Sequence, residues 1–213
     1  MIPLTEQTFR RLTQSSPWRF RTLHFTWSPA GPAFEQVEAW LRRPSLLRVR
    51  LPSGEEHHVN ESSVVLPSDP DVDEHGLVVS RPDGAWCGYD DPMWQTYTWV
   101  AMLDPRELAV GTTLTDLAES QRHGRRTWWA QMAAVDGAYT PRCGCCPLLW
   151  GEVSERAEAA DGGPTLIRMQ PDIEYPASWL IGLDVETGVV VSAEPLGGSR
   201  RDAGFTVTIH EVA

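Results

Sequence analysis

The sequence predicts an α+β fold: a curved antiparallel β-sheet, a half-barrel, with helices packed on its concave face. Two observations carry that prediction. Short segments of strict polar–apolar alternation recur from residue 18 to residue 210, bounded by Pro, Gly, Asp and Ser clusters. Helical spacing is confined to about 5–14 and 93–109, so strands outnumber helices and follow one another in series, as they do in antiparallel sheets. With no internal repeat or long linker, the 213 residues read as one domain. The 41% hydrophobic content and ten Trp can fill its core.

In chain order, Thr5 caps a short helix whose Leu4, Phe9 and Leu12 share a side, and Ser15-Ser16-Pro17 is the expected stop. Residues 18–27 alternate, with Leu23, Phe25 and Trp27 opposite Thr22, His24 and Thr26. The stretch from Phe34 to Leu51 is the most organised in the chain. Val37, Ala39 and Leu41 alternate up to Arg43-Pro44-Ser45, and Leu47, Val49 and Leu51 alternate after it, which predicts two strands folded at a proline. Phe34, Val37, Trp40 and Leu41 also fit a helical stripe, so a short amphipathic helix competes for the first half. A weak strand follows over 57–65. Residues 67–76 form an acidic turn; Asp69, Asp71 and Asp73 mimic a calcium loop, but Glu74 and Ser80 stand where such a loop needs Gly and Glu. Residues 77–79 and 85–87 read as short strands. Met93, Trp94, Tyr97, Val100, Ala101 and Leu103 then mark the second helix, broken at Asp104-Pro105. Further strands are expected over 127–134 and 165–169, in a hairpin over 180–193, and over 205–209.

Every basic residue is Arg, as suits a GC-rich, bacterial gene, and the net charge of −11 opposes binding to nucleic acid or anionic lipid headgroups. No run of about 18 apolar residues occurs, so no membrane-spanning helix is expected. The first residues lack a basic segment followed by an apolar one, which predicts a cytoplasmic protein whose thiols stay reduced unless they bind metal or do redox work.

Three places are similar to one family. The strand–turn–strand Val37-Glu38-Ala39-Trp40-Leu41-Arg42-Arg43-Pro44-Ser45-Leu46-Leu47-Arg48-Val49, the helix ending Met102-Leu103-Asp104-Pro105, and the hairpin from Leu183 to Val191 with its last strand at Phe205 to Ile209 resemble the LolA/LolB/RseB-type lipoprotein carriers. That resemblance implies an unclosed barrel around an apolar cavity for acyl chains or hydrophobic peptide segments. Those carriers are exported and lack a cysteine cluster, whereas here no export signal is visible and a cysteine cluster is present.

The densest local chemistry is Pro141-Arg142-Cys143-Gly144-Cys145-Cys146-Pro147. Three thiols this close can ligate Zn or Cu, and Cys143 with Cys146 has the spacing of a redox pair. They can equally be small buried fillers. Arg142 would favour thiolates, and a closed zinc site would need a fourth ligand such as Cys87 or a His. His57-His58 beside Glu55-Glu56 could form half of a metal site, but adjacent strand residues point to opposite faces and do not readily bind one ion, so a solvated turn is expected. Trp86, Tyr89, Trp94, Tyr97 and Trp128 are the candidate lining of an aromatic pocket, or else plain core. No phosphate loop, dinucleotide fingerprint, zinc-protease helix or serine elbow is present.

These readings converge on a non-enzymatic binding protein that needs no cofactor and holds a hydrophobic small molecule or peptide. The alternatives are an enzyme or sensor working through Cys143, Cys145 and Cys146, and a scaffold that docks a protein partner on a sheet edge or aromatic patch.

Overall fold

The computed structural model describes residues 1–61, 68–82 and 89–213. Helix α1 (Glu6–Arg19) opens with a reciprocal cap: the Thr8 amide donates to Thr5 Oγ1 at 3.1 Å and the Thr5 amide to Thr8 Oγ1 at 2.9 Å. Phe9 and Leu12 are wholly buried beneath it. The helix does not stop at Pro17 but runs through it. Proline there removes one bond from the last turn only, and tertiary bonds fasten that turn to the body. Ser16 Oγ donates to the Leu103 carbonyl at 2.5 Å, and the Arg19 guanidinium donates to the carbonyls of Glu186 and Val185 at 2.6 and 3.0 Å.

Strands β1 (Thr22–Pro29), β2 (Val37–Arg42), β3 (Leu46–Arg50) and β4 (Glu56–Asn60) form an antiparallel meander. Phe25 lies opposite Ala39, Ala39 opposite Val49, and Leu41 opposite Leu47. All of these are buried, so the alternation specifies strands and the rival helix is not formed. Arg48 and Trp40 point the other way, with the guanidinium 3.9 Å from the indole ring. Two short strands, β5 (Asp71–Val72) and β6 (Val78–Ser80), make a separate ribbon. The acidic segment between them is a turn: Asp73 accepts hydrogen bonds from the His75 and Leu77 amides and pairs with Arg11 at 2.8 Å. The part of the expected weak strand beyond residue 61, and the expected strand over 85–87, lie outside the described residues.

The second helix is shorter than its spacing suggests. Helix α2 covers Thr98–Leu103 and is followed by a 3-10 turn at Arg106–Leu108. Gln95 has φ 63°, a left-handed value that no helix interior accommodates, and Pro105 breaks the far end. Then come β7 (Thr112–Arg122), β8 (Arg125–Ala134), α3 (Glu152–Ala160), α4 (Leu166–Met169), β9 (Ser178–Asp184), β10 (Val190–Leu196) and β11 (Phe205–Val212). The strand expected at 165–169 is the single helical turn α4, and α3 adds a helix where none was expected.

Among the described residues the main sheet has nine strands in the order β4-β3-β2-β1-β11-β10-β9-β8-β7, all neighbours antiparallel, and it is not closed into a barrel. Phe9 and Leu12 from α1, Trp99 and Met102 from α2, and the inward residues of the strands form one apolar cluster on one side. Among the described residues no helix is long and apolar enough to cross a membrane.

Candidate functional site

The loop between β8 and α3 carries the cysteines, and buried charges hold it in place. The carboxylate of Glu107 accepts from the Tyr139 hydroxyl at 2.6 Å, the Arg142 amide at 2.8 Å and the Leu148 amide at 2.7 Å, so one buried side chain ties both ends of the loop. Burial pushes this carboxyl up, against the pull of those three donors. The Arg142 guanidinium turns inward, to the Tyr89 carbonyl at 2.7 Å, to Asp104 at 3.2 Å and to Asp90. Its charge is spent on those partners, so it is not the thiolate-stabilising cation expected beside Cys143. A second buried pair, Arg43 with Asp91 at 2.7 and 2.8 Å, lies alongside, and Tyr89 donates to the same carboxylate.

On this anchored loop the three sulfurs converge. Sγ of Cys143 lies 2.9 Å from that of Cys145 and 3.7 Å from that of Cys146, and the last two are 3.4 Å apart. Cys145 is exposed, while Cys143 and Cys146 are half-buried. The Cys145 thiol is pushed up by its hydrogen bond to Cys143, by burial and by the nearby Glu158 carboxylate. That of Cys146 is pushed up further, first by burial and then by its sulfur neighbours. Cys87, the distant candidate fourth ligand, lies outside the described residues.

Cys145 and Cys146 also form part of the wall of a cavity of about 270 Å³. Trp27, Phe34, Trp150, Leu166 and Phe205 supply most of its apolar lining. Antiparallel pairing builds it, since the end of β1 meets the start of β11 with Pro29 opposite Phe205. Trp27 packs 6.1 Å from Phe34 and 6.4 Å from Phe205, ring centre to ring centre. Trp27 Nε1 is buried and has no hydrogen-bond partner among the described residues. Thr165 Oγ1, beside Leu166, is in the same condition. Arg200 and Asp202 pair at 2.8 Å on the wall.

Four of the five aromatic residues expected to line a pocket are described. Trp128 is fully buried in the sheet core, with Nε1 donating to Glu119 at 2.9 Å. Tyr89 belongs to the Arg43–Asp91 pair. Trp94 packs its ring 4.9 Å from His57, and Tyr97 is 37% exposed beside the cysteine loop. Trp86 lies outside the described residues. None of Tyr89, Trp94, Tyr97 and Trp128 lines the 270 Å³ cavity. Trp27, Phe34, Trp150 and Phe205 do; the pairing of β1 with β11 brings Trp27 and Phe205 together, while Phe34 and Trp150 come from the loops before β2 and before α3. A wider cleft of about 390 Å³ runs over Arg81, Arg106 and Glu107, but Arg81 there is already ion-paired to Asp104.

No protein-family model matches this chain, and no curated protein matches it. Among solved structures it is similar to the complex structure of Pseudomonas aeruginosa MucA/MucB, over 98% of this chain and 58% of that one, at 14% identity and a TM-score of 0.39. The chain thus spans under two thirds of that neighbour's length, and the likeness stops at a weak resemblance of fold.

Proposed function

We propose that this chain is a non-enzymatic binding protein that holds a hydrophobic ligand in the cavity walled by Trp27, Phe34, Trp150 and Phe205. The observation that carries the reading is an apolar, aromatic wall built from Trp27, Phe34, Trp150 and Phe205. Such a wall leaves area to be taken out of water by a ligand. At about 270 Å³ the cavity sits just below the usual range for small-molecule sites, about 300–1,000 Å³. A short acyl chain or a few apolar side chains of a peptide fit that size better than a long lipid. In this reading the open sheet is a carrier-type fold of the LolA/LolB/RseB kind. The place of action is the cytoplasm, where thiols as close as Cys143 and Cys145 stay reduced.

Uptake of a fluorescent fatty acid or an apolar peptide, read alongside native mass spectrometry, tests the proposal. Phe34 is 39% exposed, so Phe34→Ala should leave the fold intact and weaken uptake about tenfold, the worth of roughly 1.4 kcal/mol of lost contact. A protein that is empty and takes up neither probe would sink the idea.

A further inference from the structure

We propose that Cys143, Cys145 and Cys146 form a three-thiolate site for a soft cation with a filled d shell, Zn(II) or Cu(I), seated on the anchored loop between β8 and α3. This site shares Cys145 and Cys146 with the cavity wall but stands or falls on other measurements.

The geometry is that of a cap. All three sulfurs lie within 4.8 Å of one another. The circle through them has a radius of roughly 2 Å, short of the ~2.3 Å metal–sulfur bond, so an ion binds above their plane and keeps a position open opposite them. Cu(I) is satisfied by three sulfurs, whereas Zn(II) takes a fourth donor. Water can be that donor; the Glu158 carboxylate of α3 lies beside the loop, where a Cβ on Gly144 would meet Oε2 at 2.1 Å. Soft thiolates select these ions over hard ones such as Mg(II) or Ca(II).

Pre-organisation is the second support. The ligands follow one another in a tight turn, with the Cys146 amide 3.4 Å from the Cys143 carbonyl, and Glu107 and Arg142 fasten that turn to the body. Binding then needs little ordering of the chain. Metal–sulfur bonds form to thiolates, so binding releases protons to solvent and affinity rises with pH.

The test uses the reduced full chain under anaerobic conditions, titrated in separate arms with Zn(II) and with Cu(I) against a colorimetric chelator. One ion per chain is expected, with protons released on binding and at least a tenfold loss of affinity in Cys145→Ser. Cys145 is exposed, so that variant should keep the near-ultraviolet circular dichroism of the parent; Cys143→Ser serves as the second variant and should lose affinity likewise. Tight uptake in one arm identifies the ion. Uptake of neither ion above that of the triple Ser variant, or uptake unchanged in both single variants, overturns the site.

Discussion

Asp104 is fully buried and yet ionised. Burial alone would push its carboxyl up, but Arg81 and Arg142 reverse the effect and hold it at about 2, below the ordinary 3.8. A folded-state value below the unfolded one means stabilisation that is present above about pH 4 and lost as the pH falls through about 2. The pair of values corresponds to about 2 kcal/mol, and urea midpoints measured from pH 6 down to pH 2 should show the loss in that window. Asp104→Asn should flatten this limb, and at neutral pH it should cost about 3–5 kcal/mol because buried Arg81 loses its carboxylate partner and Arg142 keeps only Asp90. Two residues of β3 make a sharper contrast. Val49 is wholly buried and Arg50 is exposed, paired with Glu38 on the outer face. Val49→Asp should unfold the protein or cost more than about 4 kcal/mol, whereas Arg50→Gln should shift the thermal midpoint by no more than about 0.5 kcal/mol implies. Equal tolerance of both would contradict the strand register.

At the scale of elements, the loop between β8 and α3 depends on Glu107. A Gln there keeps one acceptor oxygen where the carboxylate had two, so the Arg142 and Leu148 amides cannot both be served. Glu107→Gln should cost about 1–3 kcal/mol and speed hydrogen exchange at those two amides, with faster alkylation of Cys145 as a second readout. The β7–β8 hairpin turns on His123 and Gly124, both left-handed at φ 50° and 76°, the pattern of a type I′ turn. Gly124→Ala should therefore cost about 1 kcal/mol in an unfolding titration although nothing lies within 4 Å of the added methyl. That hairpin also shows where sequence reading stops. Strands β1 to β3 are legible because one face is buried and the period of two survives in the residues. Strand β7 is at the sheet edge, mostly exposed and bulged between Thr115 and Ala118, so its residues carry no alternation and no strand is expected there. Residues 165–169 failed differently: Leu166 and Ile167 look like strand formers, but one helical turn closed by the Gln170 amide on the Leu166 carbonyl at 2.8 Å is what forms.

For the whole molecule, the two candidate sites divide along the same line. The thiol cluster is local, four residues long, and its chemistry can be read from composition. The cavity is not local, because its wall joins residues 27, 34, 150 and 205, which only the finished sheet brings together. Nothing in the spacing of those aromatic residues differs from ordinary core, and their assignment needed the β1–β11 register. The same holds for the ionic group around Asp104, where residues 81, 104 and 142 meet from three separate segments.

The order of strands has a consequence for how the fold is reached. Strands β1 to β4 come from residues 22–60 and strands β7 to β10 from residues 112–196, and each set can pair between near neighbours in the chain. Strand β11, made after both, lies between β1 and β10 and is the seam that unites them. During synthesis two half-sheets can therefore form early and wait with facing edges unpaired, and cooperative stability arrives only with residues 205–212. A lesion in the seam, such as Ile209→Ala, should act mainly on the unfolding rate, because its contacts are absent from the transition state.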